Sequence, residues 1–187
     1  DQRLSRGLGD VYKRQMFAGA LWIGGVDAGG QLKVAAMTYR QGGNDFWPGP
    51  LDVNTATISP EECEEWDKHF KINRSEVEQF VSDYVNSNGA INQSDIPESV
   101  LEWPAHGDVS QGQDYYLAPF YDRNGDGNYN PLAGDYPDYN VTGTNDDSKL
   151  YGDQTLFWIF NDKGNIHTES EAEALGLEIH AQAFGFT

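Results

Sequence analysis

The run Leu156-Phe157-Trp158-Ile159-Phe160 is the strongest fold signal in the chain. Five consecutive apolar residues of this kind predict a β-strand that is buried on both faces. Downstream, residues 176–186 alternate between two faces, as the side chains of a half-buried strand do. One face carries Leu177, Ile179, Ala181 and Ala183, and the other carries Glu178, His180, Gln182 and Phe184. The two segments predict neighbouring strands of an antiparallel sheet.

Two further apolar runs, at residues 17–24 and 32–39, flank the Gly-rich segment 25–31. This arrangement predicts a β-hairpin. Ser75 and Glu78 have the spacing of a capping box, which predicts a helix from about 76 to 85 that ends near Asn88-Gly89. The apolar residues of this helix recur at helical spacing: Val77, Phe80, Val81, Tyr84 and Val85. Trp66 and Phe70 are candidates for a shorter helix just before it.

These elements predict a mainly β fold with one or two helices. We expect an antiparallel β-sandwich-like sheet with a packed helix and long irregular loops. Residues 95–114 are expected to be irregular, because Pro97 and Pro104 interrupt regular structure.

Residues 1–15 are expected to be a non-native or disordered tail. The segment 10–15 resembles the translation of a transposon-end adapter used in preparing sequencing libraries, and such a segment takes no part in a fold. The alternative is a short polar tail, and in both cases we expect disorder. Residues 16–187 contain no repeat and no clear linker, so we expect a single β-rich domain that is a fragment of a larger protein.

The chain is strongly acidic, with 30 Asp and Glu against 12 Lys and Arg and a net charge of −18. Residues 1–15 hold four basic and two acidic residues, so the remainder has 28 acids against 8 bases, a net charge of −20. This charge repels nucleic acids and anionic membrane surfaces, and we expect neither as a partner. No apolar stretch is long enough for membrane insertion. The acidity favours cation binding, although a solvated acidic surface is the simpler explanation.

Oxygen-bearing side chains recur at every second residue in the stretch Tyr121-Asp122-Arg123-Asn124-Gly125-Asp126-Gly127-Asn128. Asp122, Asn124 and Asp126 followed by Gly127 form the first half of an EF-hand-type loop. Ca²⁺ takes about six to eight oxygen ligands, and such a loop supplies them from side chains and carbonyls. The sequence therefore predicts a Ca²⁺ site with side-chain ligands from these three residues and a backbone carbonyl from Asn128.

The second half of the loop departs from the EF-hand pattern. Its twelfth position is Ala133, where a bidentate Glu normally closes the ligand shell. Asp135 and Asp138 are the available substitutes. We expect Asp135 to close the ligand shell, and the spacing leaves Asp138 as an alternative for that position. The simpler alternative is a surface turn, because Asn, Asp and Gly are also turn residues.

Several motifs in combination resemble the N-terminal part of large secreted proteins of Bacteroidetes-type bacteria, which are exported by the type IX secretion system. They lie at residues 19–25, 43–50, 103–108, 117–122, 134–137, 152–154 and 178–180. The resemblance covers most of residues 16–187. It implies an extracellular or cell-surface multidomain protein, with other domains of the same protein as partners and a C-terminal sorting domain that this chain lacks. The loop at 122–135 also resembles those of dockerin and thrombospondin-type repeats.

No catalytic motif is present, so we expect no enzyme. The chain has no HExxH, no phosphate-binding glycine loop and no nucleophile elbow. Glu178 and His180 share a strand face, and His106 and Asp108 lie in a loop. These four residues are candidates for a transition-metal site, but single histidines are more often structural.

The aromatic residues Phe46, Trp47, Trp103 and Tyr121 are candidates for a sugar-stacking platform. Their commoner role is to fill the core. The sequence thus predicts a calcium-stabilised structural or interaction module of a secreted bacterial cell-surface protein. The alternative is a carbohydrate-binding or carbohydrate-active extracellular domain that uses exposed aromatic residues and takes glycans as partners.

Overall fold

The computed structural model describes residues 19–40 and 42–186. The predictions for residues 1–15, and for residues 17 and 18 of the first strand, lie outside this part of the chain. The described residues divide into two compact units. The first runs to Phe46 and includes Asn165–Leu175, and the second comprises Trp47–Gly164 and the residues from Gly176 onward. The expectation of a single domain over 16–187 stays a prediction.

The first unit contains a hairpin of two antiparallel strands, β1 (Trp22–Val26) and β2 (Leu32–Ala36). The predicted hairpin is therefore confirmed, but β1 continues to Val26, which shortens the connecting loop to residues 27–31. Asp27 stabilises this loop, because its Oδ1 accepts hydrogen bonds from the N–H groups of Gly29 and Gln31 at 2.8 and 2.9 Å.

Asp45 ties the hairpin to the other segments of its unit. Its carboxylate is 1% exposed and accepts hydrogen bonds from the backbone N–H groups of Ala36, Glu169 and Ser170. Burial disfavours the charge, but these hydrogen bonds outweigh it and hold the pKa of Asp45 below its ordinary value. The ionised carboxylate of Asp45 is therefore favoured, and its hydrogen bonds join β2 to residues 169 and 170.

The second unit is built around one long strand. Its elements are β3 (Trp47–Pro48), α1 (Pro60–Trp66), β4 (Phe70–Asn73), α2 (Arg74–Asn86), α3 (Glu98–Leu101), β5 (Phe120–Tyr121), β6 (Tyr136–Pro137), β7 (Gln154–Asn161) and β8 (Glu178–Gly185). Strand β7 pairs with β8 along its whole length on one side, while β3 and β4 share its other side. All these pairings are antiparallel, and β5 and β6 form a separate two-stranded ribbon. The prediction of a mainly β fold with helices is confirmed.

The two faces of β7 are buried unequally, which differs from the prediction of burial on both faces. Thr155, Phe157, Ile159 and Asn161 are buried, and the alternate residues Leu156, Trp158 and Phe160 are half-buried. The apolar run reflects full burial on one face and partial cover on the other. The predicted helix does pack on the sheet's core, since α2 buries Val77, Phe80 and Val81.

The start of this helix was predicted from the wrong capping residue. Helix α2 begins at Arg74 with Asn73 as its N-cap, so Ser75 lies inside the helix and makes no capping box. The capping box of this chain is instead Ser59 with Glu62, at the start of α1, where Pro60 occupies the first turn. Trp66 does belong to this short helix, but Phe70 pairs with Phe157 as part of β4.

Candidate metal centre

The predicted calcium loop connects the two strands of the short ribbon. Tyr121 on β5 lies opposite Tyr136 on β6, and their rings stack at 4.8 Å. The next pair in this register is Asp122 and Asp135, which stand where the loop leaves and re-enters the ribbon. An EF-hand loop exits into a helix, whereas this chain returns as a strand. Asp135, the acid that lies opposite Asp122, is therefore two residues later in the chain than the twelfth position of an EF-hand loop.

The first half of the loop curls around the carboxylate of Asp122. Its Oδ1 accepts a hydrogen bond from the N–H of Gly125, and its Oδ2 accepts one from the N–H of Gly127, both at 2.7 Å. Gly127 has φ +79°, a left-handed conformation that favours glycine, so the sharp turn assigned to this residue from the sequence is present.

The remaining polar side chains of the loop bond to one another. Asp126 accepts hydrogen bonds from the Asn124 amide at 2.8 Å and from the Asn128 backbone N–H at 2.7 Å. The Asn128 side-chain oxygen accepts the Tyr115 hydroxyl at 2.5 Å, which leaves the backbone carbonyl of Asn128 as its candidate ligand atom. Within residues 19–40 and 42–186, no three His, Cys, Asp or Glu side chains are gathered so that they could hold a metal ion.

Asp135 is fully buried, as is the neighbouring Tyr136, whereas Asn124, Asp126 and Asn128 of the loop are exposed. Its two oxygens accept hydrogen bonds from the N–H groups of Arg123 and Asn130, at 2.9 and 2.8 Å. Burial raises the pKa of Asp135 despite these two hydrogen bonds, and the charges of Asp122 and Asp126 raise it further. The charged form of Asp135 is therefore disfavoured in the folded protein.

Asp138, the other candidate to close the shell, belongs to a different environment. Its side chain accepts a hydrogen bond from Asn145 at 2.7 Å. Burial raises the pKa of Asp138, and the charged residues that act on it are Lys149 and Asp147 rather than the acids of the loop. The acids of the loop thus act on the pKa of Asp135 and not on that of Asp138.

The far side of the loop is anchored to three separate segments. The Tyr84 hydroxyl of α2 donates to the carbonyl of Ala133 at 2.8 Å, and the Tyr129 hydroxyl donates to the carbonyl of Val100 at 2.6 Å. The N–H of Tyr129 donates to Nε2 of His106 at 2.7 Å. The conformation of the loop is thus coupled to the helices of the second unit.

The histidines proposed for a transition-metal site are occupied by structural contacts. Because Nε2 of His106 accepts a hydrogen bond, its Nδ1 carries the proton and donates to the carbonyl of Tyr115 at 2.9 Å. His180 lies 2.5 Å from Glu178, as expected for neighbours on one strand face, and Glu178 also accepts the N–H of Leu51 at 2.7 Å. The structure does not bring the two histidines together with Asp108 into one metal site.

The four aromatic residues proposed as a sugar platform are largely covered. Phe46 and Trp103 are buried, at 8% and 4% exposure, and Trp47 and Tyr121 are half-buried. Trp103 packs on Phe157 with ring centroids 5.5 Å apart. The core role that the sequence suggested as the commoner alternative therefore holds for Phe46 and Trp103.

Comparisons of the chain with protein-family models, with curated proteins and with solved structures gave no significant match. Among the described residues, no helix has both the length and the apolar character needed to span a membrane.

Proposed function

We propose that this chain is a calcium-stabilised structural or interaction module of a secreted bacterial cell-surface protein. The observation that carries the proposal is the position of Asp135, a fully buried carboxylate opposite Asp122 at the end of an oxygen-rich loop. The charged form of a buried carboxyl group near two like charges is unfavourable, so the group either keeps its proton or has its charge balanced by a cation. Ca²⁺ would supply that balance.

The proposed ligand set follows from the spacing of oxygen-bearing residues in the sequence. Asp122, Asn124, Asp126 and Asp135 would bind through side-chain oxygens, and Asn128 through its carbonyl. Such loops bind with dissociation constants of about 10⁻⁴ to 10⁻³ M in extracellular modules. Weak binding of this order matches a loop without a bidentate Glu, and millimolar extracellular calcium would fill it.

The structural role rests on the loop's anchors. Because Ala133 and Tyr129 are bonded to α2, to the carbonyl of Val100 and to His106, an ion that orders the loop would stabilise the second unit. The secreted location is supported by the motif resemblance and by the acidic composition.

An interaction role is supported by the hairpin of the first unit. Trp22, Val26 and Leu32 are 70%, 67% and 63% exposed, and the Trp22 ring is fixed by a 2.8 Å hydrogen bond to the carbonyl of Met37. Exposed apolar side chains on one hairpin are typical of protein contact sites. Other domains of the same protein are the proposed partners.

Calcium titration calorimetry tests the proposal. We expect one site in the wild type, loss of binding in Asp126→Ala, weaker binding in Asp135→Asn, and unchanged binding in Asp138→Asn. Asp95→Ala is the matched control, because Asp95 is an exposed aspartate bonded to a neighbouring asparagine outside the loop. The proposed site would be contradicted if the folded wild type gave no heat of calcium binding, or if Asp126→Ala bound calcium as tightly as the wild type.

A further inference from the structure

A groove of about 400 Å³ lies beside the loop, within the second unit. One wall is the continuous segment 116–120, which begins with Tyr116 and ends with Phe120. The other wall is formed by Asp122 and Gly127 of the loop together with Asp138 and Lys149. Its volume is within the range of about 300–1,000 Å³ that is typical of small-molecule sites.

The aromatic wall presents a fixed, accessible ring. Tyr116 is 57% exposed, and its ring lies nearly parallel to that of Phe120 at 6.4 Å. The rings of His106 and Tyr115 pack against it edge-on, at 5.7 and 5.0 Å. On the loop side, a Cβ at Gly127 would come within 2.9 Å of the Tyr116 hydroxyl, so only glycine leaves this ring in place. An exposed tyrosine held in this way costs little conformational entropy when a flat apolar surface stacks on it.

The polar lining of the groove contains charges of both signs. Asp122 and Asp138 supply carboxylate oxygens, which retain acceptor capacity beyond their internal hydrogen bonds. Lys149 donates to the carbonyl of Asp147 at 2.6 Å and has further N–H groups to donate. A cationic ligand would meet Lys149, and an anionic ligand would meet the two acids. A neutral polyhydroxyl compound can use both, because each hydroxyl donates and accepts.

We propose that the groove binds a neutral saccharide, with a sugar ring stacked on Tyr116 and its hydroxyl groups bonded to Asp138 and Lys149. This inference goes beyond the calcium module, since it rests on the groove and its lining. It also places carbohydrate recognition at Tyr116 and Lys149, which the sequence analysis did not single out. Tyr116 gives no sequence signal of its own, because one tyrosine in an irregular segment is not distinguishable from a core residue.

The test is a glycan array probed with the full chain in millimolar calcium, followed by calorimetry with the strongest neutral oligosaccharide. We expect Tyr116→Ala to weaken binding about tenfold or more, and Tyr116→Phe to retain it. Lys149→Met should weaken binding as well. Tyr39→Ala is the matched control, because Tyr39 has the same 57% exposure in the first unit.

The outcomes separate this proposal from the calcium site. Tyr116→Ala should keep the calcium-dependent melting temperature while losing the saccharide, and a melt of each variant verifies that it is folded. The proposal is overturned if the wild type binds no glycan on the array. It is also overturned if Tyr116→Ala and Tyr39→Ala both bind as the wild type does.

Discussion

At the scale of single residues, two buried carboxyl groups differ in how well the protein stabilises their negative charge. Asp45 is stabilised as an anion by three backbone N–H groups, and its pKa is lowered. Asp135 accepts only two such bonds and stands near two other acids, so burial and repulsion raise its pKa. His167, whose Nδ1 lies 3.7 Å from Asp45, contributes to the lowered pKa of Asp45, whereas the charged form of Asp135 is disfavoured.

The raised pKa of Asp135 predicts a specific dependence of stability on pH. An acid that binds its proton more tightly in the folded state adds stability below its ordinary pKa, and this contribution is lost as the pH rises through the raised value. In chelator, the wild type should therefore lose stability relative to Asp135→Asn as the pH rises above about 4. Calcium should abolish this loss, because the ion stabilises the charged form.

Urea unfolding of both proteins over a pH series, with and without calcium, measures this difference. A wild type that gains stability relative to the variant as the pH rises in chelator would show that the pKa is lowered. That outcome would remove the electrostatic argument for the ion.

At the scale of elements, the patterns with short-range causes were predicted well. The apolar run of β7 and the segment of β8 were correctly predicted as two paired strands, but the burial of side chains along β8 does not alternate between its faces as predicted. The spacing of residues in the loop predicted a sharp turn at Gly127, and Gly127 has the left-handed conformation of such a turn, with its N–H bonded to Asp122. The start of α2 was predicted wrongly because a capping-box spacing lies directly after the end of strand β4. Ser75 and Glu78 have the spacing of a capping box, but β4 pairs up to Asn73 and the helix starts directly after it.

Substitution of the two candidate cap serines distinguishes the true helix start. Ser59→Ala should lower the free energy of unfolding by about 1 kcal/mol, because α1 loses its reciprocal cap. Ser75→Ala, at an exposed position inside α2, should change it by less than about 0.5 kcal/mol. Chemical denaturation measures both values, and an equal cost at the two positions would contradict the assignment of the caps.

At the scale of the whole molecule, the sequence predicted the class of fold but not the surroundings of its aromatic and acidic residues. Burial of Trp103 and Phe46, and the joining of Asp45 to Ser170, depend on segments far apart in the chain. Composition cannot separate a core tryptophan from an exposed one, nor a ligand carboxylate from one that bonds to backbone N–H groups. The position of Asp135 opposite Asp122 could not be predicted, because it depends on the pairing of β5 with β6.

The most direct test of the calcium module is a thermal melt of the protein in chelator, in millimolar calcium and in millimolar magnesium. With calcium tenfold above the dissociation constant, binding adds about 1.4 kcal/mol of stability. For a chain of this size that corresponds to a rise in melting temperature of roughly 3 to 6 °C. We predict this rise with calcium and a smaller one with magnesium, whose octahedral geometry the loop does not match. A cooperative melt with the same midpoint in all three solutions would contradict the account and leave residues 122–135 as an ordinary turn.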